Sequence, residues 1–335
     1  MNQLLIDLKN KLNPIVELIK DKNDVFYFDY PLHLNVGDLL IYHGTEQFFK
    51  DHHINVTLKR CEYDLDLEEV KAKITPNTTI LLHGGGNFGD LYPQHQKIRE
   101  EMVTHFPNNR IIVLPQTAYF KHEENLQKSA ALFRSHNDCH LLARDERTAN
   151  LFAQFSNHVY LSPDMAHQLY GTMETKQGKT GEQLYFLRKD IEASDIEKNI
   201  LAQLPANSNV KDWEDILSTE DDVVLAVSWR MSKMANKFGL GWLKDLCHQF
   251  WYAYTQRIVK RVAQVFLAND KVTTTRLHGH IFSCLLEIPN RVCDNSYGKN
   301  SSYAKLWTKE LDFVELDKYC LLYTSPSPRD PKTSR

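Results

Sequence analysis

The feature that most constrains this chain is an alternation. Short β-rich runs are separated by longer stretches with helical spacing. Several of the short runs are solidly apolar, such as Ile80-Leu81-Leu82 and Ile111-Ile112-Val113-Leu114. A strand wet on one face alternates apolar and polar residues, whereas an unbroken apolar run suits a strand buried on both faces. Candidate strands fall at 25–30, 55–60, 79–83, 110–115, 139–144 and 158–161, with helical patterns at 38–50, 95–105, 123–135 and 145–154 between them. This spacing predicts a parallel sheet with helices on both faces.

The chain has 335 residues, more than one core usually fills, so two domains are expected. The stretch 171–180 (GTMETKQGKT) is polar, lacks aliphatic residues and reads as a linker. A second set of strands is expected at 183–187, 223–228, 272–275 and 291–294, with a long helix near 240–267 and another over 281–287. The expected division is an N-terminal Rossmann-like domain over 1–170 and a C-terminal one over 181–319. The fold class is α/β, with the two Rossmann-like domains facing across a cleft in a glycosyltransferase-B-like arrangement. From Cys320 onward, CLLYTSPSPRD looks like a translated sequencing adapter, so 320–335 is expected to be an artefact without structure or function.

Composition excludes several classes. A net charge of -3 argues against general nucleic-acid binding. The six cysteines form no CxxC pair and suit neither a disulfide framework nor a zinc site, so they read as reduced core residues. No apolar run approaches the ~20 residues that a membrane span needs. The N-terminus, MNQLLIDLKNKLNPIVELIK, has the spacing of an amphipathic helix packed on the first domain, and basic helices of this kind can also lie on lipid. The protein is expected to be cytoplasmic, with peripheral association at the inner membrane face.

The polar motifs sit at predicted strand ends, where open α/β sheets bind ligands. Asn35-Val36-Gly37-Asp38 follows the first strand, and Asp38 can cap the next helix or accept a sugar hydroxyl. His83-Gly84-Gly85-Gly86-Asn87-Phe88-Gly89-Asp90 places four glycines in six positions, which lets backbone approach a ligand closely; it is neither GxGxxG nor a P-loop. Gln116 and Thr117 end another strand. Arg144 stands at the end of the next, where the default reading is a strand end and an acid-started helix. Asp164 precedes the linker and reads equally as catalytic group, hydroxyl acceptor or turn residue. In the second half, Arg188 closes a strand and is expected to point into the cleft. Thr275-Arg276-Leu277-His278-Gly279-His280 joins a strand to an apolar helix. Arg276 offers a planar fork for carboxylate or phosphate, and the imidazole of His278 can give or take a proton. His280 reads as a neighbour rather than a catalyst. Lys299, in the last polar loop, can bind a phosphate or simply be solvated.

In this order, PLHLNVGDLLIYHGTEQFF, LLHGGGNFGDLYPQHQKIRE, VLPQT, ARDERT, SPDMAH, TTTRLHGHI and DNSYGK resemble the polysaccharide pyruvyltransferase family over roughly residues 24–310. The resemblance implies transfer of an enolpyruvyl unit from phosphoenolpyruvate to a sugar of an exopolysaccharide or its precursor. The product is a cyclic ketal, and phosphate is released. It implies the double-Rossmann fold, and it associates Arg276, Leu277 and His278, with Arg188, with phosphoenolpyruvate. One departure stands out: relatives often carry an aspartate where this chain has Thr275, so no carboxylate adjoins Arg276 in sequence.

The residues suit that chemistry by themselves. A donor carrying carboxylate and phosphate needs cationic and N–H partners, which Arg188, Arg276, Lys299 and the helix start beside His278 offer. Gly84, Gly85, Gly86, Asn87 and Gln116 are the other substrate-binding candidates. His278 is the expected general acid, and Asp38 or Asp164 the base. No cofactor and no metal are expected. The rival readings are a glycosyltransferase using a nucleotide sugar and a non-catalytic sugar-phosphate-binding protein.

Overall fold

The computed structural model describes residues 2–189, 195–294 and 298–317. The suspected adapter region, 320–335, and three residues of the DNSYGK loop, Asn295, Ser296 and Tyr297, lie outside the described residues.

Two compact units emerge from the contacts. One comprises the residues up to Thr172 together with Leu217–Arg261; the other comprises Met173–Ile216 and the residues from Val262 onward. In the first, β1 (Val25–Phe28), β2 (Val56–Arg60), β3 (Thr79–Leu82), β5 (Arg110–Tyr119), β6 (Cys139–Ala143) and β7 (His158–Leu161) lie in the order β2-β1-β3-β5-β6-β7. A short extra strand, β4 (Gly85–Gly89), pairs with β5. In the second, β8 (Gln183–Phe186), β9 (Asn209–Lys211), β10 (Lys271–Thr274), β11 (Asn290–Val292) and β12 (Val314–Leu316) lie in the order β12-β11-β10-β8-β9. Every pairing in both sheets is parallel. The apolar runs behave as expected: Ile80, Leu81, Leu82 and Ile111 to Leu114 are all 0% exposed. The five described cysteines are free and buried. Along the N-terminal helix, Gln3–Asn10, Leu5 and Leu8 are buried in packing, while Leu4 is exposed.

Three local readings are corrected. Residues 223–228 are not a strand but part of the helix Thr219–Lys237. Ser218 and Asp221 form a reciprocal capping box, and Glu220, Asp221 and Asp222 crowd the first turn; together they start a helix strongly enough to override the β-branched run. β5 does not stop at Pro115 but continues to Tyr119, with a register shift between Val113 and Gln116 that accommodates the proline. The glycine-rich segment is partly a strand rather than only a loop.

Residues 217–261 fall within the range expected for the second domain but make their contacts in the first unit. Trp251 Nε1 donates to Pro31 O at 2.7 Å, the hydroxyl of Tyr42 meets His248 Nε2 at 2.8 Å, and Arg60 Nη1 reaches Asp245 Oδ1 at 2.7 Å. Lys244, 1% exposed, donates to Glu69 at 2.9 Å.

Phe88 shows how the glycine-rich segment is anchored. It is 1% exposed and packs on Phe133, Phe152 and Phe155 with ring centroids 4.8 to 5.5 Å apart. At Gly89, φ is +131°, and an added Cβ would lie 1.8 Å from Tyr119 O, so only glycine lets β4 run this close to β5. We expect Phe88→Ala to cost about 3–5 kcal/mol in chemical denaturation. A loss below about 1 kcal/mol would mean that this aromatic cluster does not hold the segment.

Candidate functional site

The candidate residues gather at the C-terminal strand ends of each sheet, where parallel α/β proteins present ligand-binding loops. The second unit is simpler. β10 ends at Thr274, and Arg276 is the residue that precedes the helix Leu277–Leu285. Its backbone N–H donates to Thr274 Oγ1 at 3.0 Å, which turns the chain sharply into the helix. Leu277 opens the helix and is buried, while His278 is half-buried one residue further on. A helix start favours anionic oxygens through its backbone N–H groups. Gly279 sets the helix against the sheet: a Cβ there would lie 2.5 Å from Thr274 Oγ1 and 2.9 Å from Phe186 Cδ1.

The sequence reserved the Arg276 fork for a ligand. In the fold, Arg276 Nε donates to Asp212 Oδ1 at 2.7 Å and Nη2 to Asp212 Oδ2 at 2.5 Å. Arg276 is 8% and Asp212 1% exposed. The Asp212 carboxylate also accepts the backbone N–H groups of Lys189 at 2.9 Å and Trp213 at 2.8 Å. Asp212 therefore supplies, from 64 residues away, the carboxylate missing beside Arg276. Thr275 serves the neighbouring strand end instead, where its Oγ1 accepts the Arg188 N–H at 2.9 Å.

Arg188 follows β8, which pairs directly with β10. Its backbone is thus a neighbour of the Arg276 turn. Lys299 opens the helix Lys299–Trp307 and is half-buried. The next residue, Asn300, ties that helix to the same strand ends by donating to Thr275 O at 2.7 Å and Cys293 O at 3.0 Å. Arg188, Arg276, His278 and Lys299 thus occupy one edge of one sheet. His280 points elsewhere: its ring meets Asn290 Oδ1 at 2.7 Å and Thr308 Oγ1 at 2.8 Å, and it is 0% exposed.

The first unit holds a more elaborate network. Asp38, half-buried near the start of the helix Val36–Asp51, lies 3.8 Å from His33 Nε2. Gly84 and Gly85 pass close by. A Cβ on Gly84 would sit 2.8 Å from Pro115 O, and one on Gly85, where φ is +130°, 3.4 Å from Asp38 Oδ1. Gly86 and Asn87 are half-buried on β4. Asn87 Oδ1 accepts from Arg99 Nη2 at 2.6 Å and from Gln116 Nε2 at 3.3 Å, and the same Gln116 nitrogen donates to His83 O at 2.7 Å.

Asp164 lies apart, 0% exposed, pairing with Arg144 and accepting the Ala166 N–H at 2.9 Å. Arg144 Nη2 also donates to Thr117 Oγ1 at 3.0 Å.

Sequence reasoning passed over the residues that tie this network together. Asp29 ends β1 with φ +68°, a conformation uncommon outside glycine and worth a functional question. Its Oδ1 meets His95 Nδ1 at 2.7 Å, and Arg99 Nη2 lies 3.5 Å from Oδ2. Burial opposes charge on both partners, yet each favours the charged form of the other: the carboxyl of Asp29 is pulled down by His95 and Arg99, and His95 is raised by Asp29. His83 differs. Burial pushes its pKa down to about 4, its Nδ1 lies 2.5 Å from the Tyr27 hydroxyl, and its buried Nε2 has no hydrogen-bond partner among the described residues. The buried Oε1 of Gln116 likewise has none among them. The sequence signal available was His83 itself, directly before the glycines. Among the described residues, no group of three or more His, Cys, Asp or Glu side chains is placed to hold a metal ion.

A pH test follows from the buried histidines. His280 is pushed down by burial to about 4, well below the value of about 6.5 for an unfolded chain. A lowered histidine means that the unfolded state binds the extra proton between those values, so stability falls as pH drops from about 6.5 to about 4. For His280 the effect is on the order of 3 kcal/mol at most. The melting temperature of His280→Asn, followed against pH, should show a shallower decline across this window than the parent. Parallel curves would contradict the neutral, buried assignment.

Comparisons with known proteins identify the family. The chain is 39% identical over 315 residues to "Putative pyruvyl transferase EpsO" of Bacillus subtilis (strain 168), covering 93% of this chain and 94% of that protein. It is 28% identical over 298 residues to "Pyruvyl transferase 1" of Schizosaccharomyces pombe, covering 83% of this chain and 68% of that protein. Among solved structures, a functionally uncharacterised protein from Klebsiella pneumoniae matches with a TM-score of 0.58 at 17% identity, over 92% of this chain and 98% of that one; this likeness is one of fold. The profile of the family described as polysaccharide pyruvyl transferase matches residues 35–297. The chain is therefore a member of the polysaccharide pyruvyl transferase family and a transferase.

Proposed function

We propose that this transferase takes its pyruvyl group from phosphoenolpyruvate and leaves it on a sugar as a cyclic ketal, with Arg276 and His278 at the donor. The observation that carries the reading is the shared edge of the second sheet. Two arginines, a lysine and a helix start meet there beside a half-buried histidine. A donor with a carboxylate and a phosphate requires such an array. Asp212 holds the Arg276 guanidinium in place, so its charge is oriented before a ligand arrives.

In this reading His278, as imidazolium, gives its proton to the methylene carbon of the enol. The carbon bearing the phosphate becomes cationic, and an acceptor hydroxyl oxygen bonds to it while a carboxylate base takes the hydroxyl proton. A second hydroxyl of the same sugar then attacks that carbon, and its proton passes to the departing phosphate. The carbon–oxygen bond to phosphate breaks, and its electron pair leaves on the phosphate. Asp38 is the better base on geometry. It is half-buried beside the glycine segment, whereas Asp164 is sealed, paired with Arg144 and engaged in capping. The scheme needs no cofactor. The acceptor is read as a sugar of an exopolysaccharide or its precursor, and the reaction as cytoplasmic.

The test is incubation with phosphoenolpyruvate and candidate acceptors, reading phosphate release together with mass gain on the sugar. His278→Ala should lower kcat by about 10²–10⁴-fold while keeping donor binding. Arg276→Lys should weaken donor binding by about tenfold, because an ammonium cannot reproduce the fork that Asp212 orients. Turnover of His278→Ala within a few-fold of the parent would remove His278 as the acid. Sugar transfer from a nucleotide sugar without phosphoenolpyruvate would replace the whole reading.

A further inference from the structure

The helix Thr219–Lys237 is built inside out. Its buried positions are Asp221, Ser228, Ser232 and Ala235, which are small or polar. Five large apolar residues along it and at its end face solvent instead: Val223, Val227, Met231, Met234 and Phe238 are 37–63% exposed. They recur at intervals of three or four residues, which places them in one stripe along the helix. A tight turn with Gly239 at φ +64° leads into the helix Gly241–Leu267. This second helix runs back along the first, since Tyr254 donates to Asp221 Oδ1 at 2.8 Å and Arg261 also pairs with Asp221. Its first turns repeat the pattern: Trp242, Leu246 and Phe250, four residues apart, are 49–67% exposed. The two aromatic residues that flank the turn, Phe238 at 63% and Trp242 at 67%, are the most exposed of all.

Eight large apolar side chains presented this way exceed what scattered surface residues explain and mark an interaction surface. The charge around them points to the partner. Arg230, Lys233 and Lys237 on the first helix and Arg257 and Lys260 on the second are exposed, and Asp245 is the single acidic residue between 223 and 260. This concentration of positive charge belongs to a chain whose net charge is -3. A second copy docking on the same face would set these cations against each other. No helix among the described residues is long and apolar enough to cross a membrane. The N-terminal helix, the other candidate for lipid, has Leu5 and Leu8 buried and leaves only Leu4 exposed among its leucines.

We propose that this helical hairpin is a docking surface for an anionic lipid bilayer. Phe238 and Trp242 at its tip enter the boundary between headgroups and acyl chains, and the basic residues meet the lipid phosphates. The proposal does not depend on the donor or on the chemistry proposed above.

The test is co-sedimentation of the full chain with two kinds of vesicle: phosphatidylcholine alone, and phosphatidylcholine with phosphatidylglycerol in equal parts. The chain should bind the anionic vesicles, bind the neutral ones much less, and release as salt is raised. Phe238→Ser/Trp242→Ser should weaken binding by about tenfold or more. Lys233→Glu/Lys237→Glu, which leaves the aromatic tip intact, should weaken it too. Circular dichroism of both variants should match the parent, because all four side chains are exposed. Absence of binding to anionic vesicles, or unchanged binding by both folded variants, would overturn the proposal. So would a parent that sediments as a dimer and ignores vesicles while the Phe238/Trp242 variant sediments as a monomer; that result would assign the face to a second copy.

Discussion

Parallel pairing organises everything else in this protein. When every strand of a sheet runs the same way, every strand ends at the same edge, and the turns that follow are gathered there whatever their distance in sequence. β8 and β10 are neighbours, although 84 residues lie between the last residue of one and the first of the other (Phe186 to Lys271). The first sheet does the same for Asp29 and His83, which follow two of its strands, and for Gln116, which lies in the last part of a third. The apolar strands are therefore more than a core: they are the reason that scattered polar motifs become two compact polar clusters, one in each unit.

Buried charge is the second organising element. Isolated ions in a protein interior are costly, and ion pairs there are tolerated only when their remaining hydrogen-bonding capacity is met. Asp212 satisfies this by accepting from two backbone N–H groups as well as from Arg276. Asp29, between His95 and Arg99, is less completely served, because among the described residues its Oδ2 has only the long contact to Arg99. Such pairs contribute little net stability, but they fix orientation, which is what an electrostatic site requires. The pairings of His280 with an amide and a hydroxyl show the alternative, a histidine kept neutral and used as a structural bolt.

What could be read from the sequence follows this division. Strands with unbroken apolar runs were legible because burial on both faces leaves a local mark, as at Ile80 and Ile111. The Arg276–His278 turn and the glycine segment were legible because each is contiguous. Asp212 was not, since its bond to Arg276 joins residues far apart in sequence and no local pattern marks it. The strand at Gly85–Gly89 was hidden because glycines signal a turn, and only the anchoring by Phe88 makes them a strand. Residues 223–228 misled because a β-branched run favours a strand locally; the exposure of Val223 and Val227 in a capped helix is what sets the hairpin apart from the core.

The central claim is that the second sheet's edge holds the donor. A crystal structure with phosphoenolpyruvate bound addresses it most directly. The donor's phosphate and carboxylate should lie within hydrogen-bonding distance of Arg276 and of Arg188, Lys299 or the helix start, with the methylene carbon facing His278. Density for the donor in the first unit, against the glycine segment and away from Arg276, would contradict it.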